Sequence, residues 1–390
     1  MAMEQGYDVI VIGLGGMGSA AAYQLAKRGQ RVLGLERHTP AHNHGSSHGR
    51  SRIIRQAYFE GAAYVPLLLR AYELWHELEH DSGAHLLTIT GGLMIGEPDH
   101  VTVAGALHSA QEHGLEYELL DAHTLQQRYP MLRPLPSTVA LYERNAGTVL
   151  PEASIVAHQR GAVAHGAALH FLEPALAWQA SDGGVQVTTA QGSYTAARLI
   201  IAPGAWAPQL MADLALPLVV ERQVLYWFAP HSGFEAYQAG RFPIFIWEIE
   251  DGMQFYGFPA ESSPPHGVKA AFFRKGAATT PEAIDRTVHA DEIAAIRATL
   301  ARFIPDLNGA LVDAQTCMYT TTPDEHFIIA PHPCHANVIL ASPCSGHGYK
   351  FASVIGEVLA DLAITGATRH PIALFDPARL SAMQHTRVAK

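Results

Sequence analysis

The chain has 390 residues, 48% of them hydrophobic, enough for two lobes around a sizeable core and without a compositional signature of disorder. Its 26 Lys and Arg against 36 Asp and Glu leave a net charge of -10, which excludes the basic footprint of a nucleic-acid binder and argues against docking on anionic lipid. No apolar run approaches the roughly 18–20 residues needed to span a bilayer, and the N-terminus enters a strand without a basic leader or cleavage site. Three cysteines (Cys317, Cys334, Cys344) cannot build a disulfide framework and show no zinc spacing, so a cytoplasmic, reducing address is expected. The 23 histidines are scattered, with no HExxH and no paired-ligand helix, and no metal site is expected.

In chain order, residues 8–12 form an apolar run of strand length. Small and apolar residues then recur at helical spacing over 16–29, with Tyr23, Leu25 and Ala26 on the buried side, and 31–35 reads as a second buried strand. Strand, glycine turn, helix and strand in so short a stretch make one βαβ unit with parallel strands. After a His-, Gly- and Ser-rich loop at 41–49, the span 64–79 reads as an amphipathic helix carrying Leu67, Leu68, Ala71, Leu74 and Trp75. Residues 86–95 are expected to form a hairpin with Gly91-Gly92 at a turn or bulge, and 151–166 a helix opened by Pro151, where a missing N–H costs nothing.

Short strands follow, and 199–202 ends in a second glycine turn at Gly204. The pattern from 216 to 273 is β-rich, with strands near 219–228, 242–248, 254–258 and 268–273. Residues 291–303 form a helix with Ile293, Ile296, Leu300 and Phe303 on one side. The end returns to the opening style with a strand at 338–340, a turn at 345–348 and a helix at 351–362. There is no internal repeat. The expected fold is α/β: a Rossmann-like nucleotide-binding domain assembled from 1–85, 150–215 and 320–390, with an inserted β-rich substrate domain from 86–149 and 216–319.

Gly13-Leu-Gly15-Gly-Met-Gly18 fits the G-x-G-x-x-G dinucleotide fingerprint in the context it requires, between a strand and a helix. Gly13 permits the tight turn, Gly15 lets the backbone approach a pyrophosphate, and Gly18 allows the helix to pack on the strand. The helix N-terminus offers free N–H groups to the phosphates, and Glu36, at the end of the second strand, can accept the ribose hydroxyls. FAD and NAD share this fingerprint. Three later features favour FAD: Arg37 directly after Glu36, the strand and turn Leu199-Ile-Ile-Ala-Pro-Gly-Ala205, and the turn Ser345–Gly348 leading into a helix.

Several further motifs stand in order along the chain. They are Gly45-Ser-Ser-His48-Gly with Arg52-Ile-Ile-Arg55, Tyr256-Gly-Phe-Pro259, Gly267-Val-Lys269, Cys317-Met-Tyr319-Thr, Pro323-Asp-Glu-His-Phe327 and Ser345-Gly-His347-Gly-Tyr-Lys350-Phe. In these residues the chain resembles the monomeric sarcosine oxidase and N-methyltryptophan oxidase family, within the glutathione-reductase-like FAD superfamily, over almost its whole length. The resemblance implies a monomeric FAD oxidase that converts the C–N bond of a small secondary amino acid to an imine and reduces oxygen to hydrogen peroxide. It implies that Cys317 carries the flavin through a thioether to the 8α-methyl, a reaction suited to a thiol in basic surroundings.

The resemblance also distributes the basic residues. Arg55 and Lys350 correspond to the pair that holds the substrate carboxylate, Arg52 to the arginine lying on the flavin ring, and Lys269 to the lysine where oxygen reacts. Tyr256 and Tyr319 correspond to aromatic residues lining the substrate pocket. Ser46, His48, Gly346, His347, Gly348 and Lys350 fall in motifs that contact the cofactor. Cys334 and Cys344 have the ordinary fate of free cysteines, as small buried apolar groups.

One position departs from the pattern. The sarcosine type carries a histidine four residues beyond the oxygen-site lysine; here Phe273 stands there, crowded by Phe272, Arg274 and Lys275. His266 is no obvious substitute on a strand of period two. This leaves open a bulkier or cyclic secondary amine as substrate: pipecolate, proline, an N-methylated aromatic amino acid or a fructosyl amino acid. More distant alternatives are an NAD-dependent dehydrogenase and a non-catalytic FAD-binding protein.

Overall fold

Strand Tyr7–Ile12 lies inside the first sheet because its residues from Val9 to Ile12 are buried on both faces. A strand covered on both sides pairs in parallel, and this one does so with Val32–Leu35 and Ser193–Ile201. Farther out, Ala168–His170 pairs parallel with Val32–Leu35, and His335–Ser342 with the C-terminal part of Ser193–Ile201. The N-terminal part of Ser193–Ile201 continues into an antiparallel meander with Gly184–Thr188 and Ala177–Ser181, while Ile328–His332 pairs antiparallel with His335–Ser342. The structure, a computed structural model, describes residues 6–262, 264–273 and 276–380; Arg274 and Lys275 lie outside them.

Helix Gly16–Lys27 packs against Pro151–Ala164 and Ala352–Thr365. Small residues set these distances. A Cβ added at Gly356 would lie 2.6 Å from the Ala20 backbone, and one at Gly161 would lie 2.7 Å from the Tyr23 ring. The N-terminal end of Gly16–Lys27 is tighter still, since a Cβ on Gly18 would sit 1.7 Å from the carbonyl oxygen of Gly13.

The second large sheet runs Ala278–Thr279, Val219–Ala229, Val268–Phe273, Gln254–Ala260, Ile244–Glu248, Gly92–Gly96, Val139–Glu143, Glu118–Asp121, with Ala310–Thr321 pairing along Val219–Ala229. Its two faces are sorted by the period of two. Tyr226, Phe228, Phe245, Trp247, Phe255, Val268 and Ala270 form a core with Ile296, Leu300 and Phe303 of helix Ala290–Phe303. Leu225, Trp227, Ala271 and Cys317 cluster separately, with Tyr256 packed against them.

The hairpin expected at 86–95 does not form. Leu87–Ile89 pairs with Gly147–Val149 in a small sheet that also holds Arg52–Ile54, whereas Gly92–Gly96 joins the large sheet. Every residue of Gly92–Gly96 is buried, a demand that an isolated hairpin cannot meet, and Gly91 at φ +73° lets the chain pass from one sheet to the other. Cys334 is exposed rather than buried.

The glycine contacts separate two variants. Gly15 has room, its added Cβ meeting only the Ser47 hydroxyl at 3.8 Å. Gly18→Ala is therefore expected to destabilise the fold by about 1–3 kcal/mol or more, as in overpacked cores, and Gly15→Ala to melt like the parent. Thermal denaturation of the two purified variants checks this; equal melting would contradict the packing.

Candidate functional site

The C-terminal ends of Tyr7–Ile12, Val32–Leu35 and Ser193–Ile201 open on one cavity that continues to the second face of the large sheet. Its volume, mouth included, is about 1810 Å³. The cavity runs from the first glycine turn to the rings of Tyr256, Phe273 and Tyr319, a reach that suits an extended dinucleotide with a second ligand beyond it.

The dinucleotide end is built by the fingerprint. Gly13 has φ +86°, and a Cβ there would strike the Ala202 carbonyl at 2.4 Å, so the first and second glycine turns lie in contact. Helix Gly16–Lys27 has no side-chain cap and no acidic residue in its first turn, leaving its N-terminal N–H groups for an anion. Glu36 is held ready: its carboxylate accepts from the Leu14 N–H (2.8 Å) and the His38 N–H (3.0 Å), with His42 Nε2 3.3 Å away. Burial pushes Glu36 up, but the bond to His42 and those backbone donors outweigh it and hold the carboxyl below its usual range. Arg37 is exposed and lies over the Trp206 ring, itself on the cavity wall. Burial, with His42 and His44 beside it, lowers His38 to about 4. These features fit FAD.

At the far end Ser46 turns its carbonyl toward two groups, Arg52 Nη2 at 2.9 Å and the Cys317 thiol at 3.7 Å. Arg52 also donates to the Ser51 carbonyl, and its Nη2 lies 3.8 Å from Cys317 Sγ. Cys317 lines the cavity, and so does Cys344, whose thiol is bonded to Ser342 and pushed up to about 11 by burial. His48 is buried with no partner on either ring nitrogen among the described residues, and burial, reinforced by Arg52, lowers it to about 3.

Lys269 is fully buried and does not line the cavity. Its ammonium donates to the Gly49 carbonyl (2.8 Å), the Ser51 carbonyl (2.9 Å) and the Ser51 hydroxyl (3.3 Å), beneath the Phe258 and Trp227 rings. Burial first, then Arg52, pulls its pKa well below the usual lysine value.

Arg55 and Lys350 meet over one ring: the guanidinium stands 4.3 Å and the ammonium 5.1 Å from the centre of Tyr58. Arg55 pairs with Glu60 and donates to the Ala57 carbonyl, while its buried Nε has no partner among the described residues. Lys350 donates to the His347 carbonyl at 2.8 Å. His347 Nε2 faces the Glu325 carbonyl, which only accepts; a neutral ring therefore carries its proton there, and the Tyr58 hydroxyl donates to Nδ1.

Beside this pair, Phe273 stands edge-on to Tyr256 and Tyr319, which are bonded to each other and both raised, chiefly by burial. Gly346, at φ +80°, lets the last turn lie against these rings, since a Cβ would touch Phe273 and Tyr319 at 2.8 Å. Gly348 is pressed on the Pro343 carbonyl, 1.8 Å from an added Cβ. His266 is exposed and bonded to the Glu261 carbonyl, away from Phe273.

Of the expected site residues, all but His48, Lys269 and Gly18 line the cavity. The sequence reading missed Glu60, the partner of Arg55, and Glu152, whose carboxylate accepts from the Gly49 and Arg50 N–H groups. It also missed Tyr58, Ser51 and the wall residues Ile53, Ile246 and Phe258. No local signal marks them; the Glu152 contact spans a separation of 103 residues.

Residues 8–362 match the family model for FAD dependent oxidoreductases. The chain is 55% identical to a monomeric sarcosine oxidase of Streptomyces avermitilis, over 97% of this chain and 99% of that protein. It is 36% identical to an N-methyl-L-tryptophan oxidase of Escherichia coli, over 92% and 95% of the two chains. Among solved structures, NikD, an unusual amino acid oxidase essential for nikkomycin biosynthesis, superposes with a TM-score of 0.83 at 26% identity, covering 95% of this chain and 97% of its own. No helix among the described residues is long and apolar enough to cross a membrane, and none of their side chains cluster as a metal site. With this cavity and these relatives, the chain belongs to the FAD-dependent oxidoreductases and, within them, to the monomeric sarcosine oxidase and N-methyltryptophan oxidase family of flavin-dependent amine oxidases.

Proposed function

We propose that this chain oxidises sarcosine or a near relative, a small secondary amino acid bound through its carboxylate, to an imine that water splits, giving formaldehyde and glycine from sarcosine. The observation that carries this reading is the pair Arg55 and Lys350 over the Tyr58 ring, beside an aromatic box on the same cavity. FAD, when bound, would supply the redox chemistry: the amine loses its C–H hydrogen and its N–H proton in becoming an imine, and the two electrons and two protons so released reduce oxygen to hydrogen peroxide.

The protein's part is binding and orientation. The substrate carboxylate replaces Glu60 at Arg55 and gains Lys350, so one carboxylate is exchanged for another and no buried cation is left unpaired. Fixing that end directs the amine and its N-substituent into the box of Tyr256, Tyr319 and Phe273. No imidazole faces the box from the Phe273 position, so a substrate amine finds no histidine base there. Lys269, held behind the turn at 49–51, contributes positive field where oxygen gains electrons. Cys317, beside Arg52, is the attachment point of the flavin; Cys344, its thiol held protonated, is not. The enzyme works as a monomer in the cytoplasm.

The deciding assay is turnover of sarcosine, N-methylated amino acids, proline, pipecolate and fructosyl amino acids, followed by peroxide. Sarcosine or another N-methyl amino acid should lead; silence with all of them overturns the proposal. Phe273 is the observation that favours a bulkier amine. Phe273→His should move kcat/KM toward sarcosine relative to the bulkier substrates, and an unchanged specificity profile means that this ring is neutral packing.

Lys350→Met should raise KM for carboxylate-bearing amines by roughly ten- to hundredfold, the worth of one charged hydrogen bond. An uncharged amine of similar size should change much less, and equal losses for both would refute the clamp. In acid precipitation, the wild-type pellet should stay yellow and that of Cys317→Ser should be colourless, with FAD released but still bound before acid. A yellow Cys317→Ser pellet would place the linkage elsewhere.

A further inference from the structure

The turn that covers Lys269 has two chemical faces. Gly49 and Arg50 both adopt positive φ, +97° and +67°. Their N–H groups converge on Glu152 Oε1, at 2.7 and 3.1 Å, at the start of helix Pro151–Ala164. The carbonyls of Gly49 and Ser51, by contrast, accept from Lys269 Nζ. A single turn thus holds a carboxylate on its donor side and an ammonium on its acceptor side.

Other ties help to hold that geometry, beginning with the Ser51 N–H, which donates to the Gly49 carbonyl at 2.8 Å. A non-glycine residue at φ +67° is strained and persists only where its surroundings hold it. The Arg50 side chain ties the outer edge of the turn to Glu261 and Asp313. At Gly49 an added Cβ would come within 2.5 Å of Leu225, so the turn is seated tightly on that side chain, with Arg52 Nη1 and Lys269 Nζ in ordinary contact at 3.5 and 3.6 Å. The charged and titratable groups that face Lys269 are His48 just before the turn, Arg52 from the strand after it, Glu152 from the helix, Glu261 beyond strand Gln254–Ala260, and Cys317 from Ala310–Thr321.

We infer that Glu152 is a positioning residue for the oxygen half-reaction: by holding the Gly49 and Arg50 N–H groups it sets the carbonyl cradle that keeps the Lys269 ammonium charged and in place. This rests on the role proposed above for Lys269. Glutamine at 152 can still accept from both N–H groups, so Glu152→Gln keeps the cradle and removes the charge, whereas Glu152→Ala removes both. Burial and Arg52 lower the Lys269 pKa while Glu152 and Glu261 raise it, so losing the Glu152 charge lowers it further. The rate that depends on charged Lys269 then falls off at lower pH as pH rises.

The test uses photoreduced holoenzyme mixed with oxygen in a stopped-flow instrument, for wild type, Glu152→Ala, Glu152→Gln, Lys269→Met and the double variant Glu152→Ala/Lys269→Met. Glu152→Ala should slow reoxidation by about tenfold or more while leaving reduction by substrate within about threefold, as expected of a group acting only where charge develops on oxygen. Glu152→Gln should recover most of the rate at low pH, with its fall shifted to lower pH. The double variant should be no slower than Lys269→Met, because residues acting as one unit are not additive. Multiplying effects, or equal slowing of both half-reactions, would overturn the inference.

A second measurement does not depend on turnover. Acetylation of Lys269 by acetic anhydride, run at a pH where the amine is neutral in all three proteins and read by peptide mass spectrometry, should accelerate in Glu152→Ala and stay near wild type in Glu152→Gln. Unchanged acetylation in Glu152→Ala means that Glu152 does not hold the cradle. If instead Lys269→Met reoxidises normally while acetylation responds as expected, the cradle stands, but the oxygen role of Lys269 fails and this inference with it.

Discussion

At Gly18 the first helix passes so close to the end of the first strand that any side chain would drive a carbon into the Gly13 carbonyl oxygen. That contact directs the uncapped helix N-terminus into the cavity, and other glycine contacts extend it. Gly13 is pressed against the Ala202 carbonyl at the second turn, and Gly348 against the Pro343 carbonyl at the third. The first and second turns therefore meet through backbone-to-backbone contact, while the third closes tightly on itself and reaches the first through the Tyr349 ring, 2.8 Å from a Cβ added at Gly16. The phosphates of a dinucleotide would meet main-chain groups there, with Glu36, Arg37 and Trp206 beside its near end and the buried basic residues toward its far end.

At that far end the chain concentrates positive charge, although its net charge is -10. Arg52 and Lys269 are held largely by backbone carbonyls, with no ion pair to either among the described residues. A carbonyl satisfies a donor without cancelling its charge, so the field persists in a region of low dielectric. Arg55 is different, since it meets Glu60. The cation assigned to the substrate has an exchangeable carboxylate partner, while the cations assigned to the flavin and to oxygen have fixed neutral ones.

The βαβ unit was legible because its signals are local: a strand-length apolar run, three glycines at fixed offsets and an acid at the end of the next strand. The strands that carry Lys269 and Tyr256 were legible from β-rich composition, whereas Ala310–Thr321, which carries Cys317, was not. Their common face was not, because it depends on pairings such as Gln223 with Cys317 and Trp227 with Lys269. Residues 86–95 misled, since two short strands around a Gly-Gly pair look the same whether they pair with each other or with distant partners. Glu60 and Glu152 left no mark because they act on backbone or side chains brought near only by the fold. Phe273 was visible as a departure, and the structure adds that it replaces an imidazole with a ring packed on both pocket tyrosines.

The central claim is that electrons pass from a carboxylate-bound secondary amine through this site to oxygen. Anaerobic mixing of the yellow holoenzyme with sarcosine, followed by admission of oxygen, tests it most directly. The account predicts that the visible flavin band bleaches without oxygen, then returns with an equimolar yield of hydrogen peroxide. A band that sarcosine and other N-methyl amino acids leave unbleached, or one that returns without peroxide, would contradict it.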